Sequence, residues 1–114
     1  LAVINSYGGD MGQTYGVPVS EIVEGIKNGV RKVNIDTDLR MASTGAIRKH
    51  LAEDRKNFDP RKFFKEATKA MNGICQDRYE AFGAGGMASK ITKVYSLEDM
   101  QRRYDKGDLA PRVA

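Results

Sequence analysis

Apolar positions recur at helical spacing through most of the chain. Val19, Ile22, Val23 and Ile26 repeat at i, i+3, i+4 and i+7 between Pro18 and Gly29, which predicts a short amphipathic helix. Leu39, Ala42, Ala46, Ile47 and Leu51 form a second stripe in "TDLRMASTGAIRKHLAED", where Gly45 weakens the helix without ending it. A longer helix opens at "FDPRKFF", with Asp59 as N-cap and Pro60 at the first helical position. Its buried side is expected to carry Phe63, Phe64, Ala67, Ala70, Met71, Ile74, Cys75 and Phe82, and Gly83 ends it. "GAGGMASK" then reads as a connector. Ser96 with Asp99 makes a capping-box-like start for a last helix closed by Gly107, and the tail "DLAPRVA" is expected to be loosely held. At the front, "LAVINSYGG" reads as the last turns of a helix closed by Gly8, with its beginning ahead of Leu1.

The segment "VRKVNIDTDLR" departs from this pattern. Val30, Val33 and Ile35 suit a short strand from Val30 to Ile35. One strand alone leaves both rows of its backbone N–H and C=O groups unpaired, so its partners must lie outside these residues. A helix, an apolar strand and another helix make a slice of an α/β sheet, and the absence of later strands makes this one the last. The fold class expected is therefore α/β, with this chain the C-terminal piece of a larger protein. A (β/α)8 barrel takes ~250 residues, so more than half of one would be missing.

Composition narrows the function without choosing it. The 114 residues are 40% apolar and 30% charged, the balance of one ordinary globular domain. No apolar run reaches the ~18 residues of a membrane span, and the start carries no secretion signal, so a cytoplasmic protein without membrane contact is expected. One histidine, His50, and one cysteine, Cys75, cannot supply three N/S ligands to a metal without recruiting carboxylates, and Cys75 cannot form an internal disulfide. Lysine and arginine exceed acids by 19 to 15, a net +4, which suits phosphorylated metabolites or nucleic acid. No base-reading motif accompanies that charge, so no nucleic-acid partner is expected. A basic helical binding module and a helical assembly element remain the competing classes.

Two places carry candidate chemistry. Asn34, Ile35, Asp36 and Thr37 stand where the expected strand runs into a helix, the position at which α/β proteins place ligands and barrels often place phosphate. Unpaired N–H groups at a helix start attract an anion, the Thr37 hydroxyl adds a donor, and Asn34 and Asp36 can grip sugar hydroxyls. The plainer alternative is that Asp36 caps the helix and Asn34 ends the strand. The second place is the start of the Phe-rich helix, where Arg61, Lys62 and Lys65 crowd the positive end of a helix dipole and call for an anion. Arg61, with its planar fork, is the stronger phosphate candidate; the alternative is an exposed arginine screened by water and Asp59. His50, beside Arg48 and Lys49, reads as a dipole contact, Cys75 as core, and the glycines after Phe82 as a cap. "YGVP", residues 15–18, reads as a helix entrance that could border the same pocket as Asn34.

The stretch "GVPVSEIVEGIKNGVRKVNIDTDLRMASTGAIRKHL", with "FDPR" and "RYEAFGAGGMASKI" beyond it, closely resembles the C-terminal portion of class II, metal-dependent fructose-1,6-bisphosphate aldolases. The likeness covers essentially the whole chain. Related tagatose-bisphosphate aldolases usually carry Ala where this chain has Asp36, which favours the fructose enzyme. The resemblance implies a (β/α)8 TIM barrel whose last strand is "VRKVNID": residues 1–54 would end the barrel and residues 55–114 would form a helical extension making subunit contacts. It implies that Asn34, Asp36, Thr37 and the Ile35 backbone bind dihydroxyacetone phosphate. Arg61 would reach into a neighbouring subunit of a homo-oligomer to hold the other phosphate. Zinc would be the cofactor, with its ligands outside this segment, and no residue here is assigned as catalytic. The implied reaction is reversible cleavage of fructose 1,6-bisphosphate to dihydroxyacetone phosphate and glyceraldehyde 3-phosphate, with the fragment alone inactive.

Overall fold

A computed structural model describes residues 1–90 and 94–110. Ile91, the last residue of the "RYEAFGAGGMASKI" stretch, and the final four residues of the tail lie outside the described residues. The helices are α1 (Ala2–Ser6), α2 (Val19–Lys27), α3 (Thr37–Glu53), α4 (Pro60–Ala81) and α5 (Leu97–Asp105), with a 3₁₀ turn at Ala88–Lys90. The caps follow the sequence pattern. Arg61 N–H donates to the Asp59 side chain at 3.0 Å, with Pro60 opening α4. Asp99 N–H donates to Ser96 Oγ at 3.1 Å at the start of α5. Gly29, with φ +105°, lets the chain double back after α2, so that Val30 N–H reaches the Gly25 carbonyl at 3.0 Å.

The expected strand is corrected: residues 30–36 form no regular secondary structure, and no strand occurs among the described residues. From Val33 on the side chains alternate, with Val33 and Ile35 half-buried and Asn34 and Asp36 exposed. A ladder needs a neighbouring strand to accept and donate on each side, and the described residues supply none. The segment is held instead by its own α2, through Val30 and through Arg31 Nη1, which donates to the Ile26 carbonyl at 3.0 Å.

Helices α3 and α4 pack antiparallel. Arg78, near the end of α4, donates to Asp38 at the start of α3 at 2.7 Å, while His50 near the end of α3 meets Asn57 just before α4. Ala67 of α4, the helix that packs on α3, is 2% exposed. Helix α1 sits on α3 where Gly45 removes a side chain: a Cβ there would stand 3.3 Å from Val3 Cγ1. Ile4, also 2% exposed, is buried at that contact, and Arg48 Nη1 donates to the Gly8 carbonyl at 2.8 Å to tie it down.

Ile4 and Ala67 are the buried apolar side chains among the described residues. The buried side expected for α4 is therefore realised in part. Phe64 stays 56% exposed, and Phe63, Met71, Ile74, Cys75 and Phe82 are half-buried. One antiparallel neighbour covers only a narrow stripe of a helix whose apolar arc is wider. The radius of gyration, 19.9 Å, exceeds the roughly 13 Å of a compact chain of this length. No helix among the described residues is long and apolar enough to cross a membrane. Replacing Ala67 with leucine should force α3 and α4 apart and cost about 1–3 kcal/mol, read as a lower urea midpoint of the intact protein; an unchanged midpoint would show that the two helices do not meet there.

Candidate functional site

Asn34, Ile35, Asp36 and Thr37 line one open cleft of about 510 Å³ between the 30–36 segment and α2. Gly16 and Val17 of the "YGVP" entrance close its other side, as the sequence suggested they could. Thr37 also borders a smaller hollow of about 210 Å³ shared with Ile4, Met11 and Arg40. The rim of that hollow is shaped by Asn5, whose side-chain amide donates to the Met11 carbonyl at 3.0 Å and accepts from Met11 N–H at 2.9 Å. That clasp fixes the Gly-rich loop, and nothing in local spacing foretold it.

The plainer alternative for Asp36 does not hold. Asp36 occupies the N-cap position of α3, but its side chain makes no cap hydrogen bond. It is turned to Arg40, whose Nε donates to Oδ1 at 2.9 Å and whose Nη2 meets Oδ2. This i,i+4 pair was readable from spacing and was missed. Two consequences follow. The Arg40 hydrogen bonds hold the Asp36 carboxyl below the usual aspartate range, against the opposing effect of desolvation and with help from the Arg40 charge, so it is an acceptor-only carboxylate at neutral pH. The first N–H groups of α3 are also left without a side-chain acceptor, and they open beside Thr37. A lowered carboxylate pKa makes the Asp36–Arg40 pair complete above 3.8, the ordinary aspartate value, and lost only as pH falls through the lower folded value.

Arg61 is not brought to this cleft. Sixteen residue steps along α3, at 1.5 Å each, put its far end about 24 Å from Thr37, and α4 begins at that far end. Its side chain is 89% exposed and paired with Asp59, 2.7 Å from Nη2 to Oδ2. The Arg61 hydrogen bonds lower the Asp59 pKa, with the same sign of pH dependence as for Asp36. His50 is half-buried and contacts the Asn57 side-chain amide, a partner that the expected dipole role did not include. Cys75, expected in the core, is half-buried and free. Among the described residues no group of three or more His, Cys, Asp or Glu is placed to hold a metal ion. The donor set of the described residues does not fit zinc.

The start of α3 thus offers N–H donors suited to an anion, with an ionised carboxylate beside them. The family model for class-II fructose-bisphosphate aldolase matches residues 12–87, and the chain belongs to that family. It is 65% identical over 113 residues to the fructose-bisphosphate aldolase of Pseudomonas aeruginosa, covering 99% of this chain and 32% of that protein. The fructose-bisphosphate aldolase of Stutzerimonas stutzeri is 64% identical with the same coverage. Fructose-bisphosphate aldolase 2 of Rhodobacter capsulatus is 57% identical over 111 residues, which are 97% of this chain and 96% of that sequence. The chain thus spans about a third of the length of the first two relatives.

Proposed function

We propose that this chain is the substrate-gripping C-terminal part of a class II fructose-bisphosphate aldolase, the intact protein reversibly cleaving fructose 1,6-bisphosphate to dihydroxyacetone phosphate and glyceraldehyde 3-phosphate. The observation that carries it is the uncapped start of α3 opening beside Thr37, with Asn34 and Asp36 on the same cleft. In the intact protein residues 30–36 become the last strand of a (β/α)8 barrel, whose neighbouring strands supply the ladder that the segment lacks here. Residues 1–54 complete the barrel and residues 55–114 form the helical extension that meets another subunit. Zinc, bound by ligands outside this chain, is the cofactor; no step is assigned to it on these residues.

The division of labour follows from charge. The α3 N–H groups and the Thr37 hydroxyl donate to the phosphate of dihydroxyacetone phosphate, where a positive helix end favours an anion. Asp36, being ionised, repels that phosphate and accepts instead from a sugar hydroxyl, while Asn34 can donate and accept. Together they fix one triose half so that the bond to be broken is held in one orientation. Arg61, too far away to serve this cleft, holds the other phosphate across a subunit boundary.

Aldol cleavage by the intact protein, with Thr37→Val alongside wild type, tests the reading. The variant loses one donor to a charged oxygen and should raise KM for fructose 1,6-bisphosphate about ten-fold, with little change in melting temperature. Wild type that does not cleave this substrate, or a variant with unchanged KM, rejects it.

A further inference from the structure

Arginine's guanidinium has two edges that can each take a bidentate anion: the side edge, formed by Nε and one terminal nitrogen, and the end edge, formed by both terminal nitrogens. At the start of α4 the two edges are used differently. Arg61 Nε donates to Asp59 Oδ1 at 3.0 Å and to Oδ2 at 3.1 Å, and Nη2 donates to Oδ2 at 2.7 Å. All three bonds fall on the side edge. Nη1 has no hydrogen-bond partner among the described residues, so the end edge faces solvent.

Asp59 is itself fixed. One of its oxygens also accepts Arg61 N–H at 3.0 Å, and its own N–H donates to Asn57 Oδ1 at 2.8 Å. The amide nitrogen of Asn57 contacts His50 Nε2 on the last turns of α3, and Asn57 N–H reaches the Asp54 carbonyl at 3.0 Å. A half-buried anchor on α3 is thereby linked, through Asn57 and Asp59, to an arginine whose side chain is otherwise 89% exposed. An exposed arginine ordinarily samples many rotamers and loses that freedom on binding an anion; here part of the loss is incurred before the anion arrives.

We propose that Asp59, held by Asn57 and through it by His50, is the positioning residue for Arg61, locking the side edge of the guanidinium so that the end edge is offered to a phosphate. This rests on the reading that Arg61 holds the second phosphate of the bisphosphate. Asp59 does not compete with the substrate in this arrangement, because the two anions use different edges. The Asn57 side-chain nitrogen meets His50 Nε2, which leaves Asn57 Oδ1 free to fix the Asp59 backbone.

Steady-state kinetics of the intact enzyme with fructose 1,6-bisphosphate test this, using Asp59→Asn, Arg61→Ala and the double variant. Asparagine keeps the helix cap, so melting temperature should hold while the ionic lock is lost. Asp59→Asn should raise KM about five-fold with kcat within about two-fold, and add nothing further in the Arg61→Ala background, the signature of a residue that acts through another. Asn57→Ala, which spares the cap, should raise KM about two- to three-fold and carries the same test if Asp59→Asn does not fold. A KM unchanged by Asp59→Asn while Arg61→Ala raises it overturns the positioning role and leaves the phosphate role of Arg61 standing. So does an equal effect of Asp59→Asn in both backgrounds. A KM unchanged by Arg61→Ala overturns the phosphate role itself, and the positioning role with it.

Discussion

Asp36→Ala in the intact enzyme is expected to lower kcat/KM for fructose 1,6-bisphosphate about a hundred-fold, since charge-assisted hydrogen bonds to a substrate hydroxyl are among the strongest single contacts a site can lose. Melting temperature should scarcely move. The side chain caps nothing, and its one partner, Arg40, is a solvent-exposed ion pair of the kind that contributes little to stability. Asp36→Asn separates charge from shape: it keeps a hydrogen-bonding group beside Arg40 but restores donor character, and should fall between wild type and alanine. The result that would sink the assignment is a variant whose kcat/KM stays near wild type. A variant whose activity and melting temperature collapse together would instead make Asp36 a structural residue. Acid gives a further handle, because the Asp36 pKa is lowered: the pair with Arg40 stays intact from neutral pH down to about 3.8, so loss of activity above that value must come from another group.

How much was legible follows from the range of each interaction. Helix ends were readable because their signals are local: Asp59 and Ser96 cap, Pro60 opens, and Gly8, Gly29, Gly83 and Gly107 all adopt positive φ where the pattern stops. The segment 30–35 reads as a strand because Val30, Val33 and Ile35 are apolar and β-branched, but a strand is a property of a pair of segments rather than of one. Phe64 was assigned to a buried face for a similar reason: periodicity gives the direction of an apolar arc and not the surface that covers it. The Asp38–Arg78 bridge joins residues 40 positions apart, and no local rule could have matched them.

The cleft residues were legible as a group and their individual roles were not. Position at the outgoing end of an apolar segment singled out Asn34 to Thr37, and all four line one cleft. Whether Asp36 capped the helix or served a ligand turned on a side-chain rotation that sequence leaves open. Arg40 was the missing clue, four residues on and correctly charged to draw the carboxylate away from the cap. Arg61 stood out because a cation at a helix start is unfavourable, yet its tether to Asp59 changes the meaning of that clue: the local anion already offsets the dipole, and what remains for a ligand is one edge of the guanidinium.

Mixing two impaired variants, Arg61→Ala and Asp36→Ala, should raise activity above that of either alone at sub-saturating substrate, because on the proposed reading the two residues serve one site from different chains. About 24 Å of α3 separates the Thr37 cleft from the start of α4, and a fructose bisphosphate is far shorter than that. On the proposed reading the second phosphate is met by an Arg61 of another subunit, which a symmetric assembly provides reciprocally. In a mixed dimer one site joins an intact Asp36 to an intact Arg61, while the other site carries both defects. Random re-association of equal amounts makes half of the dimers mixed, and each of these has one working site in two, so about a quarter of wild-type activity is expected. Each variant re-associated with itself should stay as impaired as before, which separates true complementation from renaturation. No recovery, with mixed assemblies confirmed by a mass tag on one variant, would place Arg61 outside any shared site and leave the helical extension with an assembly role alone.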